Sequence, residues 1–105
     1  MMEKVIRDGM VAVLYSPGFG AGWYSWHGIV ELLFDPKVVE MIEAKSDYKD
    51  IAHYVAEKYA DEDPYLGGVD DLTIEWLPDG TEFRVHEYDG SESIEVKEEL
   101  DWIKA

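Results

Sequence analysis

Two rhythms of apolar and polar positions run along this chain. Residues 11–15, VAVLY, are apolar throughout and rich in β-formers, which predicts a buried strand. Before them, residues 1–10 offer Val5 and Ile6 as the only adjacent apolar pair, and read as a short strand or a loose arm. Pro17 and Gly18 end the apolar run. After a glycine-rich loop, Ser25 is placed to cap a short helix over residues 26–34, with Trp26, Ile29, Val30 and Leu33 on one face. Asp35-Pro36 reads as an N-cap followed by proline at the first helical position, opening a second helix over residues 36–44 with Val38, Val39 and Ile42 inward. A third helix follows from Tyr48, Ile51, Ala52, Val55, Ala56 and Tyr59 at i, i+3, i+4, i+7 spacing. Asp47 is its cap and Asp50 adds negative charge to its first turn. Asp61-Glu62-Asp63-Pro64 stops it, and residues 65–71, YLGGVDD, form a loop.

The period then changes from 3.6 to 2. Leu72, Ile74 and Trp76 alternate with Thr73 and Glu75; after the turn Leu77-Pro78-Asp79-Gly80, Phe83 and Val85 alternate with Arg84 and His86. These two runs predict a hairpin. Asp89-Gly90-Ser91-Glu92 is a second turn. The tail 93–105 fits either a helix over residues 96–103 or a last strand at residues 102–104 extending a meander; the strand is preferred, because a two-stranded hairpin alone is marginal. The expected fold is α+β in a single domain over residues 1–105: a small antiparallel sheet, made of the N-terminal strand and a C-terminal hairpin or meander, packed against three short helices.

Composition narrows the function classes. Apolar residues make up 47% of the chain, enough for a core. With no cysteine there is neither a disulfide framework nor a thiolate nucleophile. Neither a signal-peptide core nor a run approaching the roughly 20 apolar residues of a membrane span is visible, so a soluble cytoplasmic protein is expected. Charge changes the picture most. The net is −15, and it is lopsided: residues 1–60 hold nine acids and six bases, residues 61–105 fifteen acids and three bases. Such a field repels nucleic-acid phosphates and attracts basic surfaces. The plain alternative is that the acids only keep the protein soluble.

Candidate chemistry centres on Gly18-Phe19-Gly20-Ala21-Gly22 and the aromatics Trp23, Tyr24 and Trp26. The loop lacks the lysine of a P-loop, and its third glycine comes one place early for the dinucleotide fingerprint. Its N–H groups still suit an anion nest, against the plainer reading of a structural turn. Trp23 and Trp26 are expected in the core, Phe19 and Tyr24 exposed. His27, His53 and His86 have no ligand spacing for zinc, and His53 reads as a half-buried helix residue. Asp61, Glu62, Asp63, Asp70 and Asp71 miss the EF-hand spacing. No nucleophile is paired with a base, so no catalytic, metal or cofactor site is expected and an enzyme is disfavoured.

The stretches VAVLYSPGFGAGWYSW, LLFDPKVVEMIE and LTIEWLPDGTEFRVHEYDGSESIE resemble a family of small uncharacterised acidic proteins carried by tailed phages and prophages, over about residues 11–95. The resemblance implies a phage-encoded accessory protein acting in the host cytoplasm. Such proteins often inhibit host enzymes or defence systems, with acidic DNA mimics and nucleotide-signal sponges among them; no residue motif carries either role onto this chain.

The first functional expectation is therefore a non-enzymatic acidic binding protein that engages a basic host protein, with nucleic-acid mimicry or an anti-defence role as its biological form. Its contact residues would be Glu75, Glu82, Glu87, Asp89, Glu92 and Glu95, with Phe19 and Tyr24 as anchors. The alternative is a small-ligand module in which Gly18, Phe19, Gly20, Gly22, Trp23 and Tyr24 hold an anionic or nucleotide-like molecule. A homo-oligomer or a ligand-free structural role stays open beside both.

Overall fold

Strand β2, Met10–Tyr15, runs through the middle of the molecule, and its position explains its unbroken apolar sequence. It pairs antiparallel with β1 (Ile6–Arg7) on one side and with β3 (Thr73–Pro78) on the other. Ala12 and Leu14 face a helical layer, while Val11 and Val13 face a separate hairpin. With both faces covered, no position on β2 is left for a polar residue. The computed structural model describes residues 3–18, 22–64 and 66–96.

The helical layer is α1 (Tyr24–His27), a 3-10 turn at Val30–Leu33, α2 (Pro36–Glu43) and α3 (Tyr48–Lys58). The caps of α2 and α3 are those expected: Asp35 accepts from the N–H groups of Lys37 and Val38, and Asp47 from that of Lys49. Val38, Val39, Ile51, Val55 and Tyr59 close over Ala12, Leu14, Trp23 and Leu32. On the opposite side of the sheet, Val11, Val13, Leu33, Phe34 and Leu77 meet Phe83, Val85, Ile94 and Val96 of β4 (Phe83–Tyr88) and β5 (Ser91–Val96). The molecule is thus an α+β fold in three layers: helices, a three-stranded sheet, and a two-stranded sheet.

The strand pairing departs from the expected hairpin. β3 pairs with β2, and β4 pairs with β5, so the turn after Leu77 joins two layers instead of two paired strands. The reason lies in the turn residues. Asp8-Gly9 and Asp89-Gly90 both place two consecutive residues at positive φ, the backbone that matches strand twist in a two-residue hairpin. At Pro78-Asp79-Gly80 only Gly80 is at positive φ, and Asp79 donates its N–H to Gly9 across the β1–β2 turn.

Helix α1 also differs from the helix expected over residues 26–34. Gly28, at φ 69°, ends it in a left-handed cap after one turn, and Ser25 lies inside it instead of capping it. Trp23 is completely buried as expected, whereas Trp26 is 53% exposed. His53 is exposed on α3, with its Nε2 3.1 Å from Glu57. The helix-or-strand question for the tail falls on residues outside those described. Among the described residues, no helix is long and apolar enough to cross a membrane.

Candidate functional site

The backbone N–H groups of Ser16, Trp23 and Ser25, at the end of β2 and the start of α1, converge on one carboxylate, the protein's own Glu92. That carboxylate is 2% exposed. Oε1 accepts from the Ser16 N–H at 2.9 Å; Oε2 accepts from the Trp23 N–H at 2.9 Å, the Ser25 N–H at 2.8 Å and the Ser25 hydroxyl at 2.6 Å. Glu92 returns its own N–H to the Ser16 carbonyl at 2.8 Å, and the Ser91 hydroxyl donates to the Pro17 carbonyl at 2.6 Å. Among the described residues no lysine or arginine pairs with Glu92, so its charge is met by oriented N–H and O–H dipoles. A carboxylate left without such partners in a dry interior would cost several kcal/mol.

Local sequence explains both halves of this arrangement. Trp23 buries its ring in the core and donates its indole N–H to the Leu32 carbonyl at 3.0 Å, which pins the start of α1. On β5, Glu92 shares a face with Ile94 and Val96 at period 2, so the register that buries those two side chains also drives Glu92 inward. The donors flank the glycine-rich stretch expected to supply them, and the glutamate expected in a turn at position 92 is instead the inward-facing occupant.

The glycines serve close packing around these donors. A Cβ at Gly68 would land on the Gly22 carbonyl, and one at Gly18 on the Asp71 carboxylate. Asp71, exposed beside Gly18, sets a negative charge there that opposes an approaching anion. Phe19 and Gly20 lie outside the described residues. Tyr24 is half-buried, and its ring lies 6.5 Å from that of His27, which in turn stands edge-on to Trp23 at 4.8 Å. His27 accepts the Ile29 N–H on Nδ1, and its buried Nε2 has no hydrogen-bond partner among the described residues. Burial pushes its pKa down to about 4, against the opposing pull of Glu92, so the ring is neutral near pH 7.

A second buried carboxylate, Asp35, organises the helical layer. Beyond capping α2, it accepts from the Tyr59 hydroxyl at 2.7 Å, the Tyr54 hydroxyl at 3.0 Å and Lys58 Nζ at 3.1 Å. Burial pushes the Asp35 carboxyl up, but the hydrogen bonds from Tyr59, Lys58, Val38 and Tyr54 outweigh it and hold the group below its ordinary value. Burial and Asp35 together push the Tyr59 phenol up.

The six acids expected on one binding face are distributed differently. Glu92 is held by the Ser16, Trp23 and Ser25 N–H groups, and Glu95 accepts from Arg84 Nε at 2.8 Å across the β4–β5 pair. Glu87 is exposed and accepts the Gly90 N–H at 2.6 Å; Asp89 sits in the turn at φ 51°. Glu82 is exposed in the link between layers. Glu75 is exposed on β3, and its pairing with Val13 places it on the hairpin side of the sheet. It lines an open cleft of about 600 Å³ whose other walls include Met10, Trp76, Leu77, Ile94 and Val96. Burial and the nearby Glu75 charge raise the Tyr15 phenol above its usual value. Among the described residues, no group of three His, Cys, Asp or Glu side chains is placed to hold a metal ion. No protein-family model matches the chain, and no significant similarity to a curated protein or to a solved structure is found.

Proposed function

We propose that this chain is a non-catalytic acidic binding module that engages a basic surface of another protein. The observation that carries the reading is the state of its acids. Asp61, Glu62, Asp70, Asp71, Glu75 and Asp79 are all exposed, and among the described residues none has a cation at ion-pair distance. Uncompensated charge of one sign speeds encounter with the opposite sign and sets its salt dependence. The rival small-ligand reading loses support because Glu92 already takes the Trp23 N–H and brings a negative charge against the start of α1, where an anion would have to bind. The resemblance to accessory proteins of tailed phages makes a bacterial host protein the target to look for, and inhibition of that protein the biological role. Localisation in the host cytoplasm is part of the same proposal.

The test is salt. The full chain, immobilised, is presented with host extract at about 0.05 M NaCl and eluted by a gradient, and the retained protein is purified for titration. Its affinity should fall at least about tenfold by 0.3 M NaCl as the Debye length shrinks. An affinity that does not change with salt overturns the reading.

A further inference from the structure

We propose that the cleft between β3 and β5 is the docking groove for an extended, lysine- or arginine-bearing segment of the partner, which adds as a strand to the open edge of β3 and sets a cation against Glu75. This inference rests on the acidic-module reading and names the place and shape of contact. The sheet order β1-β2-β3 leaves the outer edge of β3 unpaired among the described residues. That edge is six residues long, Thr73–Pro78, about 20 Å of backbone and enough to pair with a short peptide. The cleft beside it is walled by Met10, Trp76, Leu77, Ile94 and Val96, which suits the apolar positions of an alternating peptide.

Glu75 decides the occupant. It is the exposed carboxylate in the middle of this strand, with no cation at ion-pair distance among the described residues. A second copy of the chain pairing edge to edge would bring Glu75 toward Glu75 between molecules of net charge −15, a like-charge arrangement that costs energy. A basic strand reverses the sign of both terms: its backbone satisfies the open edge, and its lysines meet Glu75 and the long-range field. An exposed edge is ordinarily blunted by lysine or proline. Here Pro78 closes one end, and a glutamate in the middle admits basic strands selectively.

The experiment titrates the ¹⁵N-labelled full chain with a capped hexapeptide alternating lysine and valine, and with the same peptide carrying glutamate for lysine. The lysine peptide should shift the amides of Thr73–Leu77, Met10, Ile94 and Val96, and slow the exchange of β3 amides. Glu75→Gln should weaken it about three- to tenfold, whereas Glu40→Gln on the exposed face of α2 leaves it unchanged. Equal binding of the glutamate peptide, equal loss in both variants, or shifts centred on Asp61–Asp71 would overturn the groove while leaving the salt-dependent partner intact. Dimerisation through Thr73–Pro78, strengthened in Glu75→Gln, would overturn it in favour of a second copy. Failure of both the peptide titration and the salt test would remove the acidic-module reading as well.

Discussion

At the scale of single residues, Glu92 and His27 set the sharpest expectations. Glu92 accepts four hydrogen bonds, two of them from the buried N–H groups of Ser16 and Trp23, so removing it takes away the acceptor those groups use. Glu92→Ala should cost about 3–5 kcal/mol, and Glu92→Gln less, about 2 kcal/mol, because the amide keeps one oxygen but turns a donor toward a donor. Urea unfolding measures both; an alanine variant within about 0.5 kcal/mol of the parent would show that these hydrogen bonds do not hold the fold. His27 and Asp35 set the acid response. His27 has its folded pKa lowered to about 4 from 6.5, so the unfolded chain takes up a proton first as pH falls. Stability is therefore complete above pH 6.5 and declines down to about 4, by an amount on the order of 2 kcal/mol. Asp35 is lowered too, so its contribution is present above 3.8, the ordinary Asp value, and is lost as pH falls through its folded value. The two windows adjoin. Replacing His27 with phenylalanine should flatten the slope of stability between pH 6.5 and 4 and leave the steeper fall below it; unchanged slopes in urea midpoints across pH would refute the assignment.

At the scale of elements, the β4–β5 hairpin is the piece whose attachment depends most on a few polar contacts. It packs Phe83, Val85, Ile94 and Val96 on the sheet, but its turn end is tied through Glu92 and the Ser91 hydroxyl to the backbone of Ser16, Pro17, Trp23 and Ser25. In Glu92→Gln, amide exchange of β4 and β5 should speed by at least about tenfold, while β2 and α3 keep their protection. Uniform acceleration would mean that the layers open together. The same contrast shows what the sequence could and could not say about architecture. The caps Asp35 and Asp47 and the stripe along α3 were readable because they depend on near neighbours in the chain. The pairing of β3 with β2 was not, since both candidate turns carry Asp-Gly and only the proline before Asp79 distinguishes the layer crossing from the hairpin. Gly28 was read as part of a helix because its left-handed φ is invisible to periodicity. At the candidate site, the sequence pointed to Gly18–Gly22, but the donors that hold Glu92 are the N–H groups of Ser16, Trp23 and Ser25 on either side of that stretch, and the acceptor arrives from 67 residues or more away and depends on strand phase.

At the scale of the whole molecule, charge opposes the fold that the contacts build. Four ion pairs are described: Arg7 with Glu43, His53 with Glu57, Lys58 with Asp35 and Arg84 with Glu95. Arg7, His53 and Arg84 are largely exposed, and exposed pairs contribute between nothing and about 1 kcal/mol each, all of it weakened by salt. Against them stand 24 acids and nine bases, a net of −15 confined to 105 residues, whose mutual repulsion is relieved on unfolding as the chain expands. Repulsion between many exposed acids is long-ranged and is screened first, whereas the contact of Lys58 with the buried Asp35 acts over only 3.1 Å and is screened less. The balance predicts that salt stabilises this protein. Raising NaCl from about 0.01 M to 0.3 M, which cuts the Debye length from about 30 Å to under 10 Å, should raise the thermal midpoint by a few degrees. Equal concentrations of an uncharged solute should not reproduce the rise. A midpoint that falls with salt would mean that the ion pairs outweigh the repulsion, and that the acids lie farther apart or better compensated than their exposure implies. The same field that strains the free protein is what a basic partner would neutralise, so partner binding and salt should stabilise in the same direction, and adding salt to the complex should reduce the extra stability that the partner confers.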